Sequence, residues 1–446
     1  MKNIIKTLIV PLLIILIRPL GLSLNQSIVL ASLILTISWW TVGVVKKSYA
    51  SLFLLGMFAI FGNTPVVQIF NFPLSEIFII IIFAYLFSQG ISNSKLAQKL
   101  LEPYLYKYGN SYIKLMVIIL ILQFLMIFII PQPFSRIIIL SIIIREFFKG
   151  INLNQKTQST LMFWLHTSSV FINMTMIKGD LILNNALLSI ANIKIAEATW
   201  IKYMMLPAFI FYLISALGFI LTFKKDLKKY NECEKNLEVK RQSLNRKDKA
   251  NTFIIVVTVV LWATENFHGI PGIALVILGS LAMFGNKLLK KEDLKCIDLN
   301  LLIFLTAAFS IGRVMSYSGT SDDIFSNLTS AFPGEFNLIY ILMIVLVSMG
   351  LHMILGSNVT TLSVVLPGVL LISRGIVNPV TVMFITYVAV CAHYLLPFHS
   401  VIILIGNGNK LFSSKKTMKF SPVLTLIVVF SIFLIYRTWW MLIGVL

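Results

Sequence analysis

The chain has 446 residues, 58% of them hydrophobic and only 12% charged, with a formal net charge of +20. Soluble domains average about 25% charged residues, and here apolar runs of about 17–25 residues recur from end to end, each long enough to cross a ~30 Å hydrocarbon core. That excludes a soluble globular protein, and unbroken rather than alternating runs exclude a β-barrel. The basic excess reads as membrane topology, with no nucleic acid as partner, because Lys and Arg collect in cytoplasmic loops.

The expectation is an all-α polytopic membrane protein embedded in the lipid bilayer, with about eleven transmembrane helices plus two re-entrant hairpins. The start, Met1 to Lys6 followed by an apolar run, lacks a small-residue cleavage site and is read as the first helix. Spans follow at about 4–20, 27–45, 49–62 and 74–90. The stretch 112–145 is too long for one span and is interrupted at Pro131-Gln-Pro-Phe-Ser-Arg136. Spans at 158–178 and 199–222 precede a charged segment, 223–250, read as a cytoplasmic linker. The second half places spans at 251–268, 270–286 and 299–317. A second long stretch, 338–372, is interrupted at Gly356-Ser-Asn-Val-Thr-Thr361. The last spans are 379–400 and 421–440. Arms of about 15 residues with a polar tip favour re-entry for both hairpins.

With the N-terminus cytoplasmic, the cytoplasmic segments hold 29 of the 37 Lys and Arg residues. The outer segment 318–337 carries Asp322, Asp323 and Glu335 and no basic residue. This asymmetry orients the chain in the inner (plasma) membrane with its C-terminus outside.

The two halves look alike. Phe87-Ser-Gln-Gly90 recurs as Phe309-Ser-Ile-Gly312, and Ser135 to Ser141 recurs as Ser357 to Ser363, both at an offset of 222 residues. An interrupted helix follows each tip, at 158–180 and at Leu395-Leu-Pro-Phe-His-Ser400. Inverted repeats with discontinuous helices are a secondary-transporter architecture, with substrate held near the midplane. The predicted division is N-terminal scaffold helices 1–90, a first transport part 91–222, the linker 223–250, second scaffold helices 251–317, a second transport part 318–420 and a C-terminal helix 421–446.

Backbone that leaves helical geometry at membrane depth must be buried or must line a cavity. Half-helix starts attract anions, while freed carbonyls and hydroxyls suit Na⁺ as a coupling ion. Ser357, Asn358, Thr360 and Thr361 supply such groups in the second half, facing Pro397, His399 and Ser400. Ser135, Arg136, Asn173 and Thr175 are their first-half equivalents. The predicted substrate contacts are Ser135, Arg136, Thr175, Ser357, Asn358, Thr361, Pro397, His399 and Ser400, and the predicted Na⁺ ligands Ser135, Asn173, Ser357, Asn358 and Thr360. Arg136 is the sharpest feature, because a charge at mid-depth costs at least about 2.5–3.5 kcal/mol unless partnered, and the nearest acid in sequence, Glu146, is ten residues away. An anion-binding or charge-substituting role is expected. His352 and His393 read as structure, Lys178 and Arg313 as snorkelling cations, and Asp180 as a partner for Lys178 or an outer-facing group.

Cys233, Cys296 and Cys391 are scattered and form neither a disulfide framework nor a metal cluster. No Walker A, HExxH or GxSxG motif occurs. No nucleophile–base pair appears, so an enzyme is not expected, nor is a cofactor other than a coupling ion. Carboxylates of the kind that relay protons are missing from the predicted spans.

The sequence resembles the divalent anion:sodium symporter family, within the ion-transporter superfamily. Ser357, Asn358 and Pro367 keep the spacing of that family's Ser-Asn-Thr hairpin tip and following Pro, with Val359 in the Thr place. Trp262-Ala-Thr-Glu-Asn-Phe-His-Gly269 resembles its W-x-T-E-x-x-H-G. Ile297-Asp-Leu-Asn300, with Gly312 and Ser318-Gly319, resembles its I-D-W-N…G…S-G, and Leu395 to Pro397 followed by Ile402 to Gly408 its second broken helix. The resemblance covers most of the chain and is strongest over 262–420. It implies an elevator transporter with scaffold and transport domains, a homodimer, carrying dicarboxylates, citrate or sulfate with Na⁺. Carried over, Ser357 and Asn358 bind Na⁺ and substrate, Pro397 to Ser400 form the second wall, and Ser135 belongs to the first sodium site. Arg136 stands where the family has Asn, and Ile137 for Thr. An arginine there repels Na⁺ or replaces it as a fixed charge, so the alternatives are Na⁺ symport of reduced stoichiometry or Na⁺-independent exchange. An arsenite-type or Na⁺/H⁺ antiporter and a non-transporting assembly partner are the further rivals.

Overall fold

The computed structural model describes residues 2–42, 44–94, 103–130, 132–231, 246–264, 268–320, 323 and 332–446. Among the described residues every regular element is helical. The first half runs α1 (Lys2–Ile17), α2 (Leu24–Val42), α3 (Lys47–Phe61), α4 (Val66–Ile69), α5 (Glu76–Ser94), α6 (Tyr112–Ile129), α7 (Pro133–Gly150), α8 (Gln155–Asn173), α9 (Leu181–Ala191) and α10 (Glu197–Asn231). The second half runs α11 (Arg246–Ala263), α12 (Gly272–Gly285), α13 (Leu299–Tyr317), α14 (Leu338–Leu355), α15 (Asn358–Ile372), α16 (Pro379–Cys391), α17 (Val401–Gly408) and α18 (Ser414–Leu442), which contains a π turn at Ile432–Tyr436.

Both long apolar stretches are helical hairpins. Their arms run 18, 18, 18 and 15 residues, three of them longer than the expected 15. At 1.5 Å per residue an 18-residue arm is about 27 Å long. Arm length therefore no longer argues for re-entry, although each tip ends near a broken helix. The two turns are made differently. Gln132 and Pro133 start α7, with the proline at a position where its missing N–H costs nothing. Gly356 ends α14 in the left-handed region, at φ +64°, where a Cβ costs about 1–2 kcal/mol.

The helix α9 went unread in the sequence, and α17 entered only through the resemblance, as Ile402 to Gly408 of a second broken helix. They continue the broken helices beyond their breaks. Between α8 and α9 lie a turn and the 3₁₀ stretch Ile177–Asp180; between α16 and α17 lies the 3₁₀ turn Pro397–His399. The helix of α10 also runs on to Asn231, into the segment read as linker, and residues 232–245 lie outside the described part. So do 321–322 and 324–331 of the predicted outer segment, and 265–267 of the tryptophan motif.

Neighbour relations repeat between the halves in order. α2 packs on α3 and α11 on α12. α3 packs on α13 while α12 packs on α5, so each half lends a helix to the other. α7 packs on α8 as α15 packs on α16, and α9 touches α15 as α17 touches α7. Gly312 of α13 lies where an added Cβ would stand 3.2 Å from Pro367 of α15, which sets that close approach. One apolar core gathers α2, α3 and α13 with part of α9; a larger one holds α6–α8, α10, α14–α16 and α18 with α5 and α12. An aromatic group, Phe163, Phe219, Phe223 and Phe420, joins α8, α10 and α18 at ring separations of 4.8–6.4 Å, each pair adding about 0.5–1.5 kcal/mol. On the outside, Leu206, Phe209, Leu213, Leu217 and Leu221 form an exposed stripe along α10. Spacing of three and four puts them on one face. With α10 long and apolar enough to cross a bilayer, that face suits lipid. The protein is an all-α polytopic membrane protein.

Candidate functional site

The first tip is held by Arg136, which is 2% exposed. Its guanidinium donates to the Ile130 carbonyl at 2.9 Å, to Asn173 Oδ1 at 2.9 Å and to the Gly179 carbonyl. The partners come from the end of α6, the end of α8 and the 3₁₀ stretch, so one side chain pins the tip to the break. Gly179 has no room for a Cβ, which would overlap the Asn173 backbone. Other carbonyls at the break are met by side chains as well. Asn184 Nδ2 donates to Asn173 O at 3.0 Å and Met176 O at 2.9 Å, and Trp200 Nε1 donates to Met174 O at 3.0 Å. Such donors matter because each buried polar group left alone costs about 1–3 kcal/mol.

Asp180 does not pair with Lys178 in an outer vestibule. It is 6% exposed and caps α9, accepting from Leu183 N at 3.0 Å, and it is the acid that acts electrostatically on Arg136. It reaches Arg136 from a helix more than forty residues on, which no window around Arg136 could show. Lys178 instead donates to the Trp262 carbonyl at 3.0 Å. Arg313 is half-buried and reaches the Gln68 carbonyl at 3.5 Å.

The second tip is built the other way. Ser357 precedes α15 but makes no side-chain cap, and Asn358 Oδ1 and Thr360 Oγ1 are buried without a hydrogen-bond partner. Thr361 Oγ1 donates to the Ser357 carbonyl at 2.8 Å and lies 3.2 Å from His352 Nδ1. At the break, His399 Nδ1 accepts from Leu395 N at 3.1 Å and Leu396 N at 3.3 Å. His352, His393 and His399 cluster behind the tip, with His352 5.6 Å from His399 and 6.3 Å from His393. Among the described residues no group of His, Cys, Asp and Glu is arranged to hold a metal.

A cavity of about 220 Å³ joins these parts. Its lining includes Phe134 from the first tip, Asn173 and Asp180 from the first break, Ser357, Asn358 and Val359 from the second tip, and Ser400, Val401 and Ile402 from the second break. Lys47, Asp298, Asn300 and Phe304 close one side, with Lys47 Nζ 5.6 Å from the Phe304 ring centre. The starts of α15 and α17 both reach this cavity, and neither Ser357 nor Ser400 caps its helix. Uncapped N–H groups carry partial positive charge. Both lining carboxylates, in contrast, are engaged as caps, Asp180 on α9 and Asp298 on α13. The cavity therefore has one side suited to an anion.

Of the predicted site residues, Asn173, Ser357, Asn358 and Ser400 line the cavity; Ser135, Arg136, Thr175, Thr360, Thr361, Pro397 and His399 lie outside its lining. Ser135 gives its N–H to Gln132 Oε1, and Thr175 Oγ1 donates to Ile172 O at 2.7 Å. Sequence reasoning missed Lys47, Asp298, Tyr387 and above all Asn184. Its signal was present: a pair of asparagines, Asn184-Asn185, inside an otherwise apolar run.

No curated protein matches the chain. A family model described as citrate transporter matches residues 33–389, which include both hairpins, the first break and α16 up to the second. Two hairpins meeting two broken helices around one anion-suited cavity accord with that match, and the chain belongs to the citrate transporter family.

Proposed function

We propose that this multi-pass member of a secondary-transporter family for citrate-type anions binds a di- or tricarboxylate in the cavity between the second tip and the two breaks. The observation that carries the reading is the meeting of two uncapped helix starts, α15 and α17, at one cavity. Carboxylates seat at such N–H groups, with Ser357, Asn358 and Ser400 as side-chain donors. Lys47 adds a positive charge at the same cavity. Asp180 and Asp298 also line the cavity and repel carboxylates, which confines the substrate to the helix starts. Na⁺ binds at the second tip, where Asn358 and Thr360 bring buried oxygens, and the two tips and breaks move as an elevator in a homodimer of the inner membrane. Citrate is the first substrate to test, ahead of succinate and sulfate.

The test is uptake of labelled citrate into proteoliposomes, with and without a Na⁺ gradient and with and without internal citrate. Uptake driven by Na⁺ supports symport. Uptake needing internal citrate and indifferent to Na⁺ replaces symport with exchange. No uptake of citrate, succinate or sulfate under any condition overturns the transport reading.

A further inference from the structure

We infer that the Arg136 guanidinium is a resident cation of the first half, standing where a bound ion would otherwise be needed, so that ion coupling is left to the second half. The inference rests on the transport reading above. Three oxygens face the guanidinium, and all are neutral: two backbone carbonyls, Ile130 and Gly179, and the amide oxygen of Asn173. These are the hard, uncharged donors that a monovalent cation selects. They come from three separate segments, the first arm, the end of α8 and the 3₁₀ stretch, which is how a coordinated ion would tie a tip to a break. Among the described residues no carboxylate lies within ion-pair distance of Arg136. Its charge is met by dipoles, with Asp180 acting from farther off.

Neighbouring carbonyls of this break are engaged too. Asn173 O and Met176 O receive Asn184, and Met174 O receives Trp200. A mobile cation beside Arg136 would meet like charge, which costs more in a buried setting than in water. The same position in the second half is Asn358, at the 222-residue offset. There the side chain brings an unpartnered oxygen in place of a cation, and Thr360 brings another. One tip carries the positive charge and the other carries oxygens.

Arg136→Asn gives the first tip the side chain of the second and should convert a fixed charge into a demand for an exchangeable one. The first readout needs no substrate: the melting temperature of purified protein in detergent, titrated with NaCl against choline chloride at constant ionic strength. The variant should be less stable than the wild type without Na⁺, and Na⁺ should raise its melting temperature by a roughly twofold larger shift than it raises that of the wild type, because a ligand stabilises in proportion to the sites it fills. Uptake of citrate, where it occurs, should then show a steeper Na⁺ dependence. A folded Arg136→Asn protein with the wild-type response to Na⁺ overturns the inference. A wild type that moves no citrate overturns the transport reading but leaves the melting result to stand. If Arg136→Asn does not fold, Arg136→Lys decides. It keeps the charge and should stay folded with the wild-type Na⁺ response; failure of the lysine variant to fold would make the guanidinium shape, not its charge, the essential property.

Discussion

In the first half, Gln132 caps α7 and Asp180 caps α9 with their own side chains; in the second, Ser357 and Ser400 leave α15 and α17 without a side-chain cap. The first break has its carbonyls met by Arg136, Asn184 and Trp200, whereas the second tip keeps unpartnered oxygens on Asn358 and Thr360. Two copies of one design have thus divided the work. The first spends most of its polar groups on its own backbone, leaving Gln132 Nε2 and Asn173 Nδ2 unpartnered. The second leaves two side-chain oxygens at its tip without an internal partner, and buried polar groups of that kind call for a partner.

The largest expected effect tests the satisfied half. Asn184→Leu strands the carbonyl of Asn173 and the hydroxyl of Tyr387, which donates to Asn184 Oδ1, while Met176 O keeps the Gly179 N–H. At about 1–3 kcal/mol for each buried orphan, the loss should reach roughly 2–6 kcal/mol, read as a large fall in melting temperature or failure to accumulate. Near-normal stability would mean that the first half is not held as described.

Next come changes in the open half, with the opposite signature. Asn358→Ala removes an oxygen that makes no internal bond, so stability should move by less than about 1 kcal/mol. Citrate uptake should fall at least roughly tenfold, the equivalent of about 1.4 kcal/mol. Uptake unchanged beside an unchanged melting temperature would remove Asn358 from the site. Ser400→Asp sharpens the comparison, because it gives α17 the acidic cap that α9 already has. An N-cap carboxylate should stabilise by about 0.5–1 kcal/mol while placing negative charge at the cavity, so a more stable but transport-deficient protein is expected. Gly356→Ala should cost about 1–2 kcal/mol through its left-handed backbone alone.

The smallest effect lies away from both tips. Asp226, on the end of α10, faces Lys156 at 3.1 Å and Lys416 at 3.5 Å. Burial pushes this carboxyl up, but the hydrogen bond and charge of Lys156, the charge of Lys416 and the hydroxyl of Thr160 outweigh it and hold it below the usual carboxylate range. Because the folded value is the lower one, its stabilisation is present above the ordinary carboxylate pKa near 3.9 and disappears as pH falls through the folded value. Asp226→Asn should remove that acid-side slope and cost under about 1 kcal/mol at neutral pH. An unaltered melting profile between pH 5 and 3 would count against the pairing.

The order of long helices and both interruptions were legible because proline, glycine and clustered hydroxyls stand out against apolar runs. The helix α9 was not, and α17 was seen only through the resemblance, since segments of 11 and 8 residues fall below the length at which an apolar run announces a span. The 222-residue offset pairs Arg136 with Asn358, yet nothing in either tip's sequence says that the arginine turns back onto carbonyls rather than into the cavity. Those partners, at Asn173 and Gly179, are brought up only by the fold.

Two tyrosine hydroxyls reach across the halves: Tyr387 beside the second break to Asn184 of α9, and Tyr394 within the second break to Thr167 of α8, 2.7 Å away. Both pairs are fully buried. They cross-brace the two breaks, and sliding one break past the other would break both hydrogen bonds. Such bracing favours a motion that carries both breaks together.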